Sequence, residues 1–230
     1  MIQNRRIALV FRICALLLAI AGVAAQMGVF KGSVSFAGFM FYTIQSNLLV
    51  IILFVLLVVK TAKSLRESAT GFAGWYPRFE MVCTVNVFVT FIVFWALLTP
   101  TVSAEYLRTF ENLAIHAITP ILCLADYLLF TKSPHLKYRD VYYTLIFPLA
   151  YVVFVTIAGF AGYVFYYVGE LEHIFSSTII MVPVRFPYFF LDFDKIGYLV
   201  FAFVAGIAVF ILLLGHFAYL VDRKWRKKEK

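Results

Sequence analysis

Apolar positions fall along this chain in six long runs, at roughly 7–30, 36–61, 79–99, 110–130, 141–168 and 196–221. Each is near the ~20 residues that a helix needs to cross the hydrocarbon of a bilayer. An even number of crossings returns the chain to the side on which it began, so both termini face one compartment. The predicted fold class is all-α: a polytopic membrane protein, a single transmembrane domain over 1–230 built as a bundle of six transmembrane helices. Between the runs, 62–77 ("AKSLRESATGFAGWYP") carries Gly71, Gly74 and Pro77 and reads as a turn-rich loop. The longest connection, 169–195, is itself rich in aromatics and is expected to fold back over the helices, with Pro183 and Pro187 shaping it.

Composition agrees, since 63% hydrophobic residues, 19% aromatics and a mean hydropathy of +0.93 exceed what a soluble domain can hide. Charge then sets orientation. One set of loops holds about fifteen Lys and Arg, six of them in the tail "DRKWRKKEK"; the other holds about four, namely Lys31, Arg108, Arg185 and Lys195. Both ends are therefore expected in the cytoplasm, and the net charge of +8 is topological. A nucleic-acid partner would need those charges on a folded soluble surface; membrane lipids are the expected surroundings. Arg5 and Arg6 precede the first run as in a signal peptide, but the run is long and lacks a small-residue cleavage site, so it is expected to be a retained helix. Cys14, Cys83 and Cys123 fall within spans as packing residues, and no Cys/His spacing suggests zinc. No metal and no cofactor is expected.

Two runs are interrupted by polar side chains, which hydrocarbon tolerates only where they meet partners or water. The second carries Thr43, Gln45, Ser46 and Asn47, with Thr43 and Asn47 one helical turn apart. In the fourth, Asn112, His116, Thr119, Cys123 and Asp126 recur at spacings of four, three, four and three, which draws one stripe along a helix. Thr43 lies about seven residues into its span and His116 about six into its own, each roughly 10 Å below the same face. A hydroxyl and an imidazole are thus expected at one depth. Structural alternatives stay open: Thr43 can bond back to the carbonyl of Phe39, and His116 can tie helices through Asn47 or Asn86. Asn47 and Asn112 suit interhelical hydrogen bonds. Asp126 is about 15 Å along the helix from His116, too far to orient it, and is expected to meet Arg12 or Lys132. His135 reads as solvated and His216 as interfacial. His116 lies near the outer side and His216 near the inner, mismatched depths that argue against bis-histidine haem.

At these residues the chain resembles a known family, the androgen-induced protein and androgen-dependent TFPI-regulating protein family of six-span membrane threonine hydrolases. The similar stretches are "FYT" (Phe41 and Thr43), "FW" (Phe94 and Trp95), "NLAIHAITP" and "FPYFFLD", the last containing Pro187 to Asp192. The resemblance implies Thr43 as nucleophile, His116 as its partner, and fatty-acid esters of hydroxy fatty acids as substrates. Ser46 and Asn47 depart from the eukaryotic pattern. With its short loops the chain looks like a bacterial relative, which would place it in the cell membrane.

The chemistry can be reasoned without that name. A threonine hydroxyl is a weak nucleophile until a base takes its proton, and an imidazole withdrawn from water is neutral and able to accept one. The expectation is an intramembrane lipid esterase that forms an acyl-threonine, with water then releasing the acid. Asn47, Asn86 and Asn112 are the candidate oxyanion donors, and Arg185 is a candidate to hold a substrate carboxylate. The competing expectation is a small transporter or lipid-binding protein using the same residues as a binding site or proton relay. The two halves lack the paired, broken-helix symmetry that transporters often carry.

Overall fold

The computed structural model describes residues 2–68, 71–131, 136–171 and 179–227; Lys132 and His135 lie outside them. The protein is all-α, with six helices among the described residues long and apolar enough to cross a membrane. They are α1 (Arg5–Gln26), α2 (Tyr42–Arg66), α3 (Pro77–Thr101), α4 (Phe110–Phe130), α5 (Tyr138–Phe160) and α6 (Leu199–Lys227). The chain divides into two compact units, one of Met1–Leu145 with Ile211–Lys230 and one of Ile146–Phe210.

The first unit is built on α1 to α4. Asn4 starts α1 by accepting the N–H groups of Arg6 and Ile7 at 3.0 and 3.3 Å, a side-chain cap on otherwise orphan donors. Along α1 the buried positions Ala8, Arg12, Ala15, Ala19 and Gly22 recur every three or four residues. Small residues at that spacing let helices approach closely. The approach is close at Gly22, where a Cβ would lie 2.6 Å from Cβ of Ala114 on α4. Val50, Leu53, Phe54 and Leu57 of α2 pack with Ala15, Cys83, Val87 and Cys123 to form the core.

Near the N-terminal end of α1, a charged network closes this core. Arg12 is fully buried and forms a two-pronged pair with Asp126, Nε to Oδ1 at 2.7 Å and Nη2 to Oδ2 at 2.9 Å. Its Nη1 also donates to Thr61 Oγ1 at 2.9 Å and to the Ala73 carbonyl at 2.8 Å. The arginine thus draws the 71–76 loop onto α1, α2 and α4. Of the two partners expected for Asp126, Arg12 is the one that meets it. Glu80 completes the closure, accepting from the N–H groups of Trp75 and Tyr76 at 2.9 and 2.8 Å and from the Thr131 hydroxyl at 2.5 Å. Buried charges persist only when so thoroughly satisfied.

In the second unit the helical part of α5 stops at Phe160, earlier than hydropathy suggests. Gly162 takes a left-handed φ of 88°, its N–H returns to Gly159 O, and the Tyr163 N–H reaches Ala158 O. This paired closure is the Schellman stop, which favours glycine. The apolar run then continues as a strand, β1 (Tyr166–Leu171), paired antiparallel with β2 (Ile179–Val184) in the register Tyr166 to Val184. This strand pair, which begins inside the predicted 141–168 span, was not legible in the sequence. Beyond it the chain does fold back: Phe186 is fully buried, and a Cβ on Gly159 would meet its ring at 2.4 Å. Asp192 then caps a single helical turn, Phe193–Ile196.

Candidate active site

The position of Thr43 follows from a break in the backbone. After α1, Gly28 turns the chain with φ 81°, and Phe36–Met40 forms a short 3-10 turn capped by Ser35. Phe41 is extended (φ −96°, ψ 139°), and α2 starts afresh at Tyr42. The expectation of an unbroken helix from residue 36 is therefore corrected. Hydropathy registers the apolar side chains of this stretch and is blind to the change in φ and ψ at Phe41. Thr43 is not several turns into a helix; it stands in the first turn. There the main-chain N–H groups have no carbonyl within the helix to bond, and Phe41 offers no side-chain cap. Thr43 is nearly buried, at 8% exposure.

Its hydroxyl meets His116, with Oγ1 3.3 Å from Nε2. The carbonyl of Phe39, a possible alternative partner, is instead bonded by the side-chain amide of Gln45 at 2.8 Å. The other ring nitrogen fixes the tautomer. Nδ1 of His116 lies 3.2 Å from the main-chain oxygen of Asn112. A carbonyl can only accept, so Nδ1 carries the hydrogen and Nε2 presents a lone pair to Thr43. Phe94 stacks on the imidazole with centroids 3.7 Å apart and an interplanar angle of 19°, which fixes the plane of the ring.

The local helix geometry that holds this histidine is written in "AIHAITP". Residues Ala114–Ile118 form a π turn in which the Thr119 N–H bonds Ala114 O. Pro120 has no N–H to give. The Ile115 carbonyl is thus deprived of both its possible helical donors, and the His116 carbonyl loses its donor four residues on. Each is served from another helix. Asn47 Nδ2 donates to Ile115 O at 3.0 Å, and Trp95 Nε1 donates to His116 O at 3.1 Å. α3 repeats the device in "FWALLTP", with a π turn over Phe94–Leu98 ahead of Pro100. Such π turns are rare and concentrate at functional sites. A proline four residues after the histidine was the available sequence signal.

The remaining expected residues divide clearly. The stripe on α4 faces inward throughout, with Asn112, His116, Thr119, Cys123 and Asp126 all buried. Asn47 gives both amide hydrogens to carbonyls, those of Thr43 (2.8 Å) and Ile115. Asn86 does the same with Val82 (2.8 Å) and Thr144 (3.2 Å) while its oxygen accepts from Tyr42 at 2.6 Å. With their donors taken, these two amides hold backbone and neighbouring helices in place and have no hydrogen left for an oxyanion. Asn112 spends one hydrogen on Leu107 O at 3.2 Å. Ser46 bonds Thr43 O at 3.0 Å and Thr90 Oγ1 at 2.9 Å, so the Thr43 carbonyl is held twice. Arg185 belongs to the second unit, where its Nε donates to Asp194 at 2.9 Å and its Nη2 makes a second bond to the same carboxylate. That pairing raises the guanidinium pKa above its usual value.

No family model matches the chain, and no curated protein or solved structure matches it either.

Proposed function

We propose that the protein is a membrane-embedded carboxylic ester hydrolase in which Thr43 is the nucleophile and His116 the general base. The observation that carries this reading is Nε2 of His116 3.3 Å from the Thr43 hydroxyl, with Nδ1 on the far side of the ring 3.2 Å from the Asn112 carbonyl oxygen, to which it can only donate. A nucleophile beside a base that is itself oriented by a third group is the arrangement that activates hydroxyls.

In the proposed cycle Thr43 Oγ1 attacks the ester carbonyl as Nε2 takes its proton. In this reading the charge that develops on the carbonyl oxygen is taken up at the start of α2, by the N–H groups of Thr43 and Ile44, at a helix end that favours negative charge. Collapse of the adduct breaks the bond to the alcohol, which leaves with the proton from Nε2. Water repeats the sequence in reverse and frees the acid. The surroundings suit a lipid ester: the outward faces of α1 and α2 are apolar, with Val10, Leu17, Ile52 and Val59 exposed. The proposed substrates are fatty-acid esters of hydroxy fatty acids, consistent with the family resemblance at "FYT" and "NLAIHAITP". The bias of Lys and Arg between the loops puts this site toward the non-cytoplasmic face in the proposed orientation.

The test is turnover. Purified protein in detergent is expected to release free fatty acid from such an ester at a rate proportional to protein. A preparation that binds the ester but leaves it intact over hours would favour a lipid-binding role instead.

A further inference from the structure

Two threonines stand at the same place in the two π-turn devices, and their hydroxyls behave differently. Thr99, before Pro100, turns back on its own helix and bonds Phe94 O at 3.2 Å and Trp95 O at 3.1 Å. Thr119, before Pro120, is fully buried, yet its Oγ1 makes no hydrogen bond to protein. The reason lies across the helix interface. The Ile115 carbonyl, which corresponds to Trp95 O, is bonded by Asn47. That leaves Asn47 Oδ1 as a second buried polar atom with no partner.

The two orphans are linked through the Ile115 carbonyl, which Asn47 bonds at 3.0 Å. Asn47 touches Ile115 O, and Thr119 is one turn on from Ile115. A helical side chain leans back toward the N-terminus of its helix, so the Thr119 hydroxyl lies on the Ile115 side of its own Cα. Asn47 lies one turn along α2 from Thr43, and its side chain leans back toward that residue in the same way. A buried acceptor and a buried hydroxyl left unpaired cost free energy, and water with two to four polar partners is how protein interiors satisfy such groups.

We propose that Asn47 Oδ1 and Thr119 Oγ1 hold the water that deacylates Thr43. This rests on the acyl-threonine reading given above and names the residues that serve its second half. The water donates one hydrogen to Asn47 Oδ1 and accepts one from the Thr119 hydroxyl. Its second hydrogen faces His116 Nε2, and its remaining lone pair faces the acyl carbon. Attack forms the new carbon–oxygen bond as Nε2 takes the proton. Collapse breaks the bond to Thr43 Oγ1, which recovers the proton from Nε2, and a carboxylic acid leaves. Thr119 is a positioning residue: it acts on the water and not on the ester, so its loss is expected to slow only the second step.

The experiment is pre-steady-state hydrolysis of a p-nitrophenyl ester of a medium-chain fatty acid, with the acyl adduct followed by mass spectrometry of the Thr43 peptide. Thr119→Val keeps the volume and removes the hydroxyl. It is expected to keep the p-nitrophenol burst within about twofold of wild type. Its steady-state rate should fall on the order of 10²-fold, with acyl-Thr43 accumulating. Thr119→Ser restores the hydroxyl and is expected to turn over within a few-fold of wild type. A Thr119→Val steady-state rate equal to wild type overturns the inference. So does a parallel loss of burst and turnover, or a serine variant as slow as the valine one. Wild-type protein that releases no p-nitrophenol above background overturns the hydrolase reading itself, and that result is distinct from all of these.

Discussion

If the protein is the proposed hydrolase, replacing Thr43 by Ala is expected to lower ester turnover about 10³-fold or more, and replacing His116 by Ala to do the same. The magnitude follows from the geometry. Thr43 Oγ1 meets Nε2 of His116, so a ring without the hydroxyl has nothing to activate. A hydroxyl without the ring keeps its proton and stays a poor nucleophile. Because the two act as one unit, the double variant is expected to lose no more than either single one. Neither substitution should unfold the protein. The Thr43 carbonyl stays held by Ser46 and Asn47, and the π turn around position 116 is set by Pro120 and not by the imidazole. Free fatty acid release measured beside circular dichroism separates the two effects. Variants that keep the wild-type rate would remove Thr43 and His116 from the chemistry.

The largest expected effect on stability lies far from that pair. Arg12→Leu leaves Asp126 as a charge buried without its counter-ion, and it strips Thr61 Oγ1 and Ala73 O of their donor. Breaking a buried pair from one side costs about 3–5 kcal/mol, which should appear as a marked fall in the unfolding midpoint in detergent. Replacing both partners, as Arg12→Met with Asp126→Leu, removes the uncompensated charge and is expected to recover most of the loss. Asp126 is ten residues along α4 from His116, about 15 Å. Below its lowered midpoint the single variant is therefore expected to keep its ester turnover. If Arg12→Leu is as stable as wild type, the network does not hold the 71–76 loop and helices together as described.

Much of this was legible in the chain, for reasons that differ from element to element. The α4 stripe showed because a period near 3.6 in polar residues survives in any membrane helix that has one inward face. Counting each residue in from the start of its apolar run paired Thr43 with His116 on paper, and the structure sets their atoms 3.3 Å apart, although the helix assumed for the Thr43 count begins only at Tyr42. What was missed is backbone. The restart of α2 at Tyr42 and the π turns before Pro100 and Pro120 lie in runs whose side chains read as unbroken helix. So does the passage from α5 into β1, although the glycines of "GFAGY" were its signal. The amides were missed for a different reason. A sequence gives Asn47 and Asn86 their donors but not the carbonyls that consume them, and those carbonyls are orphaned in part by a proline on another helix. Arg12 was legible only as one of two partners for Asp126, because the loop that seals it is tied by main-chain atoms.

The claim at the centre is that the hydroxyl of Thr43 is made nucleophilic by His116. A fluorophosphonate probe tests it most directly, since it reacts with an activated hydroxyl and leaves a stable mass on it. The expected result is a single adduct on the peptide carrying Thr43, absent from His116→Ala. No adduct, an adduct on Ser46 in place of Thr43, or labelling of Thr43 undiminished without His116 would contradict it.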